Sequence, residues 1–184
     1  KAKAAKTEKE IIALLHNYKL SREMIPTEFL NKPAVIEAML PNMGITALIR
    51  SLGSFSACNY LNDNNLDAIN YITELITKKE NIKKARLHPL QILDALYTYN
   101  MGHGIKGSLT WKKVRKIVDA LDSSFYLSFE TVEPTNKKMM LAIDVSGSMG
   151  SYQMSGSVLT PRVASMALAM VTARTEKNYI IKAF

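Results

Sequence analysis

Met139-Met-Leu-Ala-Ile-Asp144-Val-Ser146-Gly-Ser148-Met149 is the stretch where the grammar of this chain changes. Met139–Val145 is a short apolar run closed by Ser and Gly, the pattern of a strand buried on both faces of a parallel sheet. Downstream, Thr160-Pro161 reads as a helix start, with Thr as the cap and Pro at the first helical position. Val163, Met166, Ala167, Met170 and Val171 continue that helix at helical spacing, and Asn178–Phe184 reads as a second strand. Strand, loop, helix and strand make a βαβ unit, which implies parallel pairing. A single unit over residues 136–184 leaves an open sheet edge and an uncovered face, so the expectation is a piece of a longer chain.

Residues 1–131 follow a different period, that of consecutive short helices. Thr7 with Glu10 has capping-box spacing ahead of Ile11, Ile12, Leu14 and Leu15. A helix from about Asp67 to Lys78 places Ile69, Ile72, Leu75 and Ile76 on one face. Pro89 suits the first turn of the next, lined by Leu90, Leu93, Leu96 and Tyr97. Trp111, Val114, Ile117, Val118, Leu121 and Phe125 then recur at helical spacing, opposite Lys112, Lys113, Arg115 and Lys116. Helices with one apolar stripe bury it only against neighbours, which favours a bundle or a solenoid of helical pairs. No clean internal period stands out. Between two of these helices, Met101-Gly-His-Gly-Ile-Lys-Gly107 supplies three glycines for a sharp turn.

Bulk composition fits a folded chain and excludes several classes. Of 184 residues, 47% are apolar and 22% charged, ordinary globular usage. The net charge is +8, with 18 basic against 14 acidic residues before Thr135 and 6 against 2 after it. That excess favours an anionic partner. One cysteine, Cys58, excludes an internal disulfide framework and fits a reducing compartment. No stretch approaches the roughly 18 apolar residues of a membrane span, and Lys1–Glu10 carries no signal core, so no membrane partner is expected. The expectation is a soluble, intracellular chain.

Chemistry concentrates in the loop after the first strand. Asp144, Ser146 and Ser148 stand at i, i+2 and i+4 where a parallel strand feeds a helix, the end of the sheet at which open α/β folds bind ligands. Gly147 lets that loop curl so that one carboxylate and two hydroxyls converge. Such oxygen donors suit a divalent cation, Mg²⁺ above all, which keeps several waters. The plainer alternative is a Ser/Gly turn whose Asp satisfies nearby amides; the strand before and the capped helix after favour the metal reading. A P-loop is excluded because no Lys follows Gly147 or Gly150 at the required place. A nucleophile elbow is excluded because Asp144, not Gly, stands two before Ser146. An aspartyl-phosphate enzyme using Asp144 needs a second carboxylate that the loop does not offer, so no nucleophile is assigned and no catalytic step is expected.

His16 reads as packed or half-exposed and His88 as a helix-entry residue. His103, between Gly102 and Gly104 and near Lys106, could stack on a base or be satisfied by backbone. The basic runs are Lys78-Lys79, Lys83-Lys84-Ala-Arg86 and Lys112-Lys113-Val-Arg115-Lys116. They are either solvated helix faces or phosphate contacts, which supply affinity without sequence choice. Tyr97, Tyr99, Trp111, Phe125 and Tyr126 fall mainly on expected core faces, so phosphate contact outweighs base stacking.

Four stretches, in order, carry a family resemblance. They are Met43–Gly53, Lys84–Leu93, Thr98–Trp111, and Thr131-Val-Glu-Pro-Thr135 running into Leu141–Met149 and Arg174–Lys177. In these the chain resembles the Ro autoantigen family, the TROVE-module proteins of Ro ribonucleoproteins. The resemblance implies α plus α/β architecture, with HEAT-like helical repeats over 1–131 and the first β-α-β unit of a von Willebrand factor A-like domain over 136–184. It implies binding of Y RNAs and misfolded small non-coding RNAs in RNA quality control, in cytoplasm and nucleus. RNA-contacting candidates are then Lys83, Lys84, Arg86, His103, Lys106, Lys112, Lys113, Arg115 and Lys116. By the same resemblance Asp144, Ser146 and Ser148 form the first segment of a metal-ion-dependent adhesion site, completed by a Thr and an Asp from later loops. The competing function is a metal-dependent module that grips a protein partner through this site.

Overall fold

The computed structural model describes Ala5 and residues 7–184; the remaining residues of the basic run at 1–6 lie outside the described residues, and with them most of the stretch read as lacking a signal core. Helix α1 (Glu8–Tyr18) opens where the Thr7 hydroxyl accepts the Glu10 amide at 3.3 Å. It buries Ile11 and Leu15 and packs on α2 (Pro33–Met39). There follow α3 (Ile45–Ala57), α4 (Leu66–Thr77), α5 (Lys79–Ala85), α6 (Pro89–Met101) and α7 (Arg115–Leu127). The Asn65 side chain caps α4 by accepting the Ala68 amide. At the entry to α6, the His88 ring accepts the Leu90 amide and the Gln91 side chain accepts the His88 amide, so the helix-entry role read for His88 is met.

The core joins these helices through their apolar stripes, with α7 packed on both α4 and α6. Ser124 of α7 is fully buried, and its hydroxyl lies 2.8 Å from the Ile76 carbonyl of α4 and 2.6 Å from its own helix's Ala120 carbonyl. A larger side chain there would hold the two helices apart. Tyr99 ties three segments together. Its phenol hydroxyl lies 2.8 Å from the Ser56 hydroxyl of α3 and accepts the Val114 amide at 3.2 Å, so both buried polar groups are satisfied.

Beyond the single helical turn Ser128–Thr131, helix gives way to β1 (Met139–Ile143). Helix α8 (Pro161–Thr175), capped by the Thr160 hydroxyl on the Val163 amide, leads into β2 (Tyr179–Ala183). The strands pair parallel, Met139 opposite Tyr179 through Ile143 opposite Ala183. Helices followed by this small parallel sheet make the fold α plus α/β, as expected.

Several local expectations are corrected. β1 is not buried on both faces: Ile143 alone is buried, Met140 is 71% exposed, and every residue of β2 is exposed. Among the described residues α8 is the helix that packs on the sheet, so the apolar run meets cover on one side. On α8 the buried positions are Ala164, Ala167, Ala169 and Val171, whereas Met166 and Met170 are exposed. Trp111 does not begin the last helix of the helical part. Residues 111–114 lie outside any helix, with Val114 extended, and the Trp111 amide pairs with the Gly102 carbonyl at 2.8 Å while its indole N–H donates to the Tyr99 carbonyl at 3.0 Å. Lys112 and Lys113 therefore precede α7 rather than line it. On α6, Tyr97 points to solvent and the buried set is Pro89, Ile92, Leu93, Leu96 and Tyr99.

Candidate metal loop and nucleic-acid interface

The metal-loop residues follow directly on β1, where pairing ends with Val145 donating to the Phe184 carbonyl at 3.0 Å. Asp144 Oδ1 accepts the Ser146 amide at 2.8 Å, which curls the chain into the single turn Gly147–Gly150. That curl brings the Ser146 and Ser148 hydroxyls within 3.0 Å of each other. Hydrogen bonds from the Ser146 amide first, and its hydroxyl second, hold the Asp144 carboxyl below its ordinary range. Arg162, at the start of α8, donates from Nη2 to the Ser146 carbonyl at 3.0 Å, and its guanidinium lies close to Gly150. A Cβ at Gly150 would stand 3.1 Å from the Arg162 Cζ, so the absence of a side chain there makes room for the guanidinium. One ionised carboxylate and two hydroxyls on one curl fit a hard cation that keeps water in its remaining positions. Among the described residues no group of three His, Cys, Asp or Glu is placed to hold a metal.

The RNA candidates fall into three places. Lys83 and Lys84 lie exposed in the last turn of α5, and Arg86 follows in the left-handed conformation (φ 50°) that ends it. His103 and Lys106 are exposed on the Gly102–Thr110 hairpin, with His103 Nδ1 3.2 Å from the Gly104 carbonyl and His103 bridged to Thr110. Around the start of α7, Lys112 pairs with Asp63 at 3.0 Å, Lys113 donates to the Asn100 side chain at 2.9 Å, and Arg115 pairs with Asp119 at 2.9 Å. Lys116 is exposed without such a partner among the described residues. Exposed pairs of this kind contribute about 0–1 kcal/mol, so they hold these cations only loosely. His16 is exposed on α1, away from the packed reading.

Two carboxylates that the sequence reading passed over join the halves of the molecule. Asp94 of α6 accepts, through Oδ1, both the Ser157 hydroxyl and the Val158 amide of the loop ahead of α8. Glu176, just past α8, is buried and accepts the Thr135 amide at 2.6 Å and the Asn136 amide at 3.1 Å. Those amide bonds, Thr135 first, hold its carboxyl below the ordinary range. The available signal was a charged residue at the edge of an otherwise apolar helix face, as at Asp94 between Leu93 and Ala95.

A set of packed helices joined to a parallel strand–helix–strand unit, with an Asp-x-Ser-x-Ser loop at the carboxyl end of its first strand, is the class that this fold and loop define. Residues 17–98 match the TROVE domain and residues 138–184 match the Ro60 vWA domain. The chain belongs to the Ro family built from these two domains. It is 36% identical over its whole length to a protein of Deinococcus radiodurans and to one of Caenorhabditis elegans, each named RNA-binding protein RO60. It covers 35% and 28% of those proteins, so it spans about a third of the length of these relatives. The crystal structure of the D. radiodurans RO (RSR) protein superposes on all of this chain with a TM-score of 0.91 at 35% identity, the chain covering 37% of it.

Proposed function

We propose that this chain is part of an RNA-binding scaffold with no catalytic step of its own. It takes small structured non-coding RNAs, Y RNAs and misfolded small RNAs among them, and serves RNA quality control. The observation that carries this reading is the set of exposed cations, Lys83, Lys84, Arg86, Lys106 and Lys116, that make no ion pair among the described residues of a chain with net charge +8. The names of the relatives support it. Unpaired surface cations of this kind neutralise phosphates and release counterions, so binding falls steeply with salt.

Gel-shift titration with a structured small RNA at several salt concentrations is the test. Replacing Lys83, Lys84 and Arg86 together by Ala should weaken binding and flatten the log K against log [salt] slope by about 2–3. No complex at low salt, or an unchanged slope, refutes the proposal. A second reading rests on the donor set at Asp144, Ser146 and Ser148: a divalent cation held there could grip a carboxylate of a protein partner.

A further inference from the structure

A cavity of about 340 Å³ lies between α3 and α6 beneath the Gly102–Thr110 hairpin, at the small end of the roughly 300–1,000 Å³ of small-ligand sites. Space remains between the helices because side chains facing it from either side are small, Ser54 on α3 and Ala95 on α6. Trp111 shuts one end. Its ring is already taken up by Gly53 and by the Tyr99 ring, 6.2 Å away between centroids, so it serves as a stop and offers no free face. Elsewhere the wall is largely aliphatic. Leu87 is buried, whereas Ile105 and Leu109 of the hairpin are 44% and 45% exposed and leave apolar surface in water. The Gly104 amide on the Leu109 carbonyl at 3.2 Å fastens that hairpin over the space.

Two charges of opposite sign line the same cavity. Arg50 is exposed and pairs with no acid among the described residues, so its guanidinium is open to an anion. Asp94 gives Oδ1 to the Ser157 hydroxyl and the Val158 amide, and its second oxygen accepts no hydrogen bond, which leaves an acceptor for an ammonium. These two side chains do not pair with each other. Opposite charges that share an apolar cavity without touching are complementary to a ligand that carries both signs on an apolar body. A lone carboxylate or phosphate leaves Asp94 unanswered, and a lone amine leaves Arg50 unanswered.

We propose that this cavity binds a free α-amino acid with a branched aliphatic side chain, of the size of leucine. Its carboxylate sits on Arg50, its ammonium on Asp94, and its side chain against Leu87, Ile105 and Leu109. The site stands apart from the RNA-binding reading and does not depend on it. Because Asp94 also holds Ser157 and Val158, the ammonium lies on the same carboxylate that fastens the loop ahead of α8.

The test is calorimetric titration of the protein with L-leucine and three relatives, each lacking one feature. Saturable heat is expected with leucine. Leucinamide, without the carboxylate, N-acetyl-leucine, without the ammonium, and glycine, without the side chain, should each bind about tenfold more weakly. Arg50→Ala should weaken leucine about tenfold and leave leucinamide unchanged, since leucinamide has no carboxylate for Arg50 to hold. Ala95→Met, which fills the cavity with both charges intact, should abolish leucine binding. Its melting temperature is compared with the parent's, and Arg50→Ala, at an exposed position, leaves the core untouched. No saturable heat with leucine, or equal affinity for leucine, leucinamide and N-acetyl-leucine, overturns the site. Leucine binding that Arg50→Ala does not change overturns it too. Structured RNA is titrated separately by gel shift, so loss of the amino-acid site leaves the RNA reading standing.

Discussion

Asp144 owes its character to its own loop. The Ser146 amide and hydroxyl stabilise its ionised form, so it stays charged to below the ordinary value of 3.8. A carboxylate in that state, beside two hydroxyls, is ready for a cation without first losing a proton. Substituting Asp144→Ala should abolish Mn²⁺ binding followed by electron paramagnetic resonance, while Ser151→Ala, whose hydroxyl is spent on the Ser148 carbonyl, leaves it intact. Equal Mn²⁺ affinity in parent and Asp144→Ala would remove the metal reading. The spacing of Asp144, Ser146 and Ser148 after an apolar run was legible along the chain because the three donors are local. Arg162 was not legible as part of this loop. It arrives from 16 residues away, only because α8 starts beside the turn.

Among the elements, α3 shows how a tertiary contact reverses a local rule. Gly53 sits inside that helix, and a glycine-to-alanine change in a helix interior ordinarily stabilises by about 0.5–1 kcal/mol. Here a Cβ would meet the Trp111 ring at 2.8 Å, and the ring is anchored by its N–H on Tyr99. Overpacking costs about 1–3 kcal/mol, so Gly53→Ala should be destabilising on balance. Urea unfolding and a red-shifted Trp111 emission would both register it; a gain in stability would mean the ring moves aside freely. The same indole explains why helical spacing from Trp111 onward misplaced the start of α7. Spacing records which side chains are apolar, but residues 111–114 are held out of the helix by pairing with Gly102 and with Tyr99, which no window of neighbouring residues contains. Where a helix's own cap and stripe suffice, as at Thr7, Thr160-Pro161 and the Ile69–Ile72–Ile76 face of α4, sequence and structure agree.

Across the whole molecule, Glu176 and Asp94 hold the α/β unit to the segments before it. Glu176 binds the linker amides of Thr135 and Asn136, and Asn136 adopts a left-handed conformation (φ 58°) there. Its folded carboxyl titrates below the ordinary 4.5. The stabilisation it gives is therefore fully present above about pH 4.5 and is lost as pH falls through the lower folded value. Glu176→Gln should lower the melting temperature at pH 7, with the gap from the parent closing in acid below that point. A gap that stays constant from pH 7 to 3 would show that ionisation of Glu176 plays no part in the clamp. Among the described residues no helix is long and apolar enough to cross a membrane.

The sequence by itself determined the order of α1, α4, α6, α7, β1, α8 and β2, the change from helical to strand-and-helix pattern near residue 135, and the local donor set after β1, but not α2, α3 or α5. Each of these depends on residues within a turn or two of one another, where propensity, capping and side-chain spacing act directly. Tertiary structure alone decided that Met140 and β2 stay exposed, that Trp111 stands on Gly53, and that Asp94 and Glu176 reach across 64 and 41 residues to bind backbone amides. Those outcomes depend on which surfaces meet once the chain has folded back on itself, and no local pattern of side chains encodes a meeting between segments so far apart.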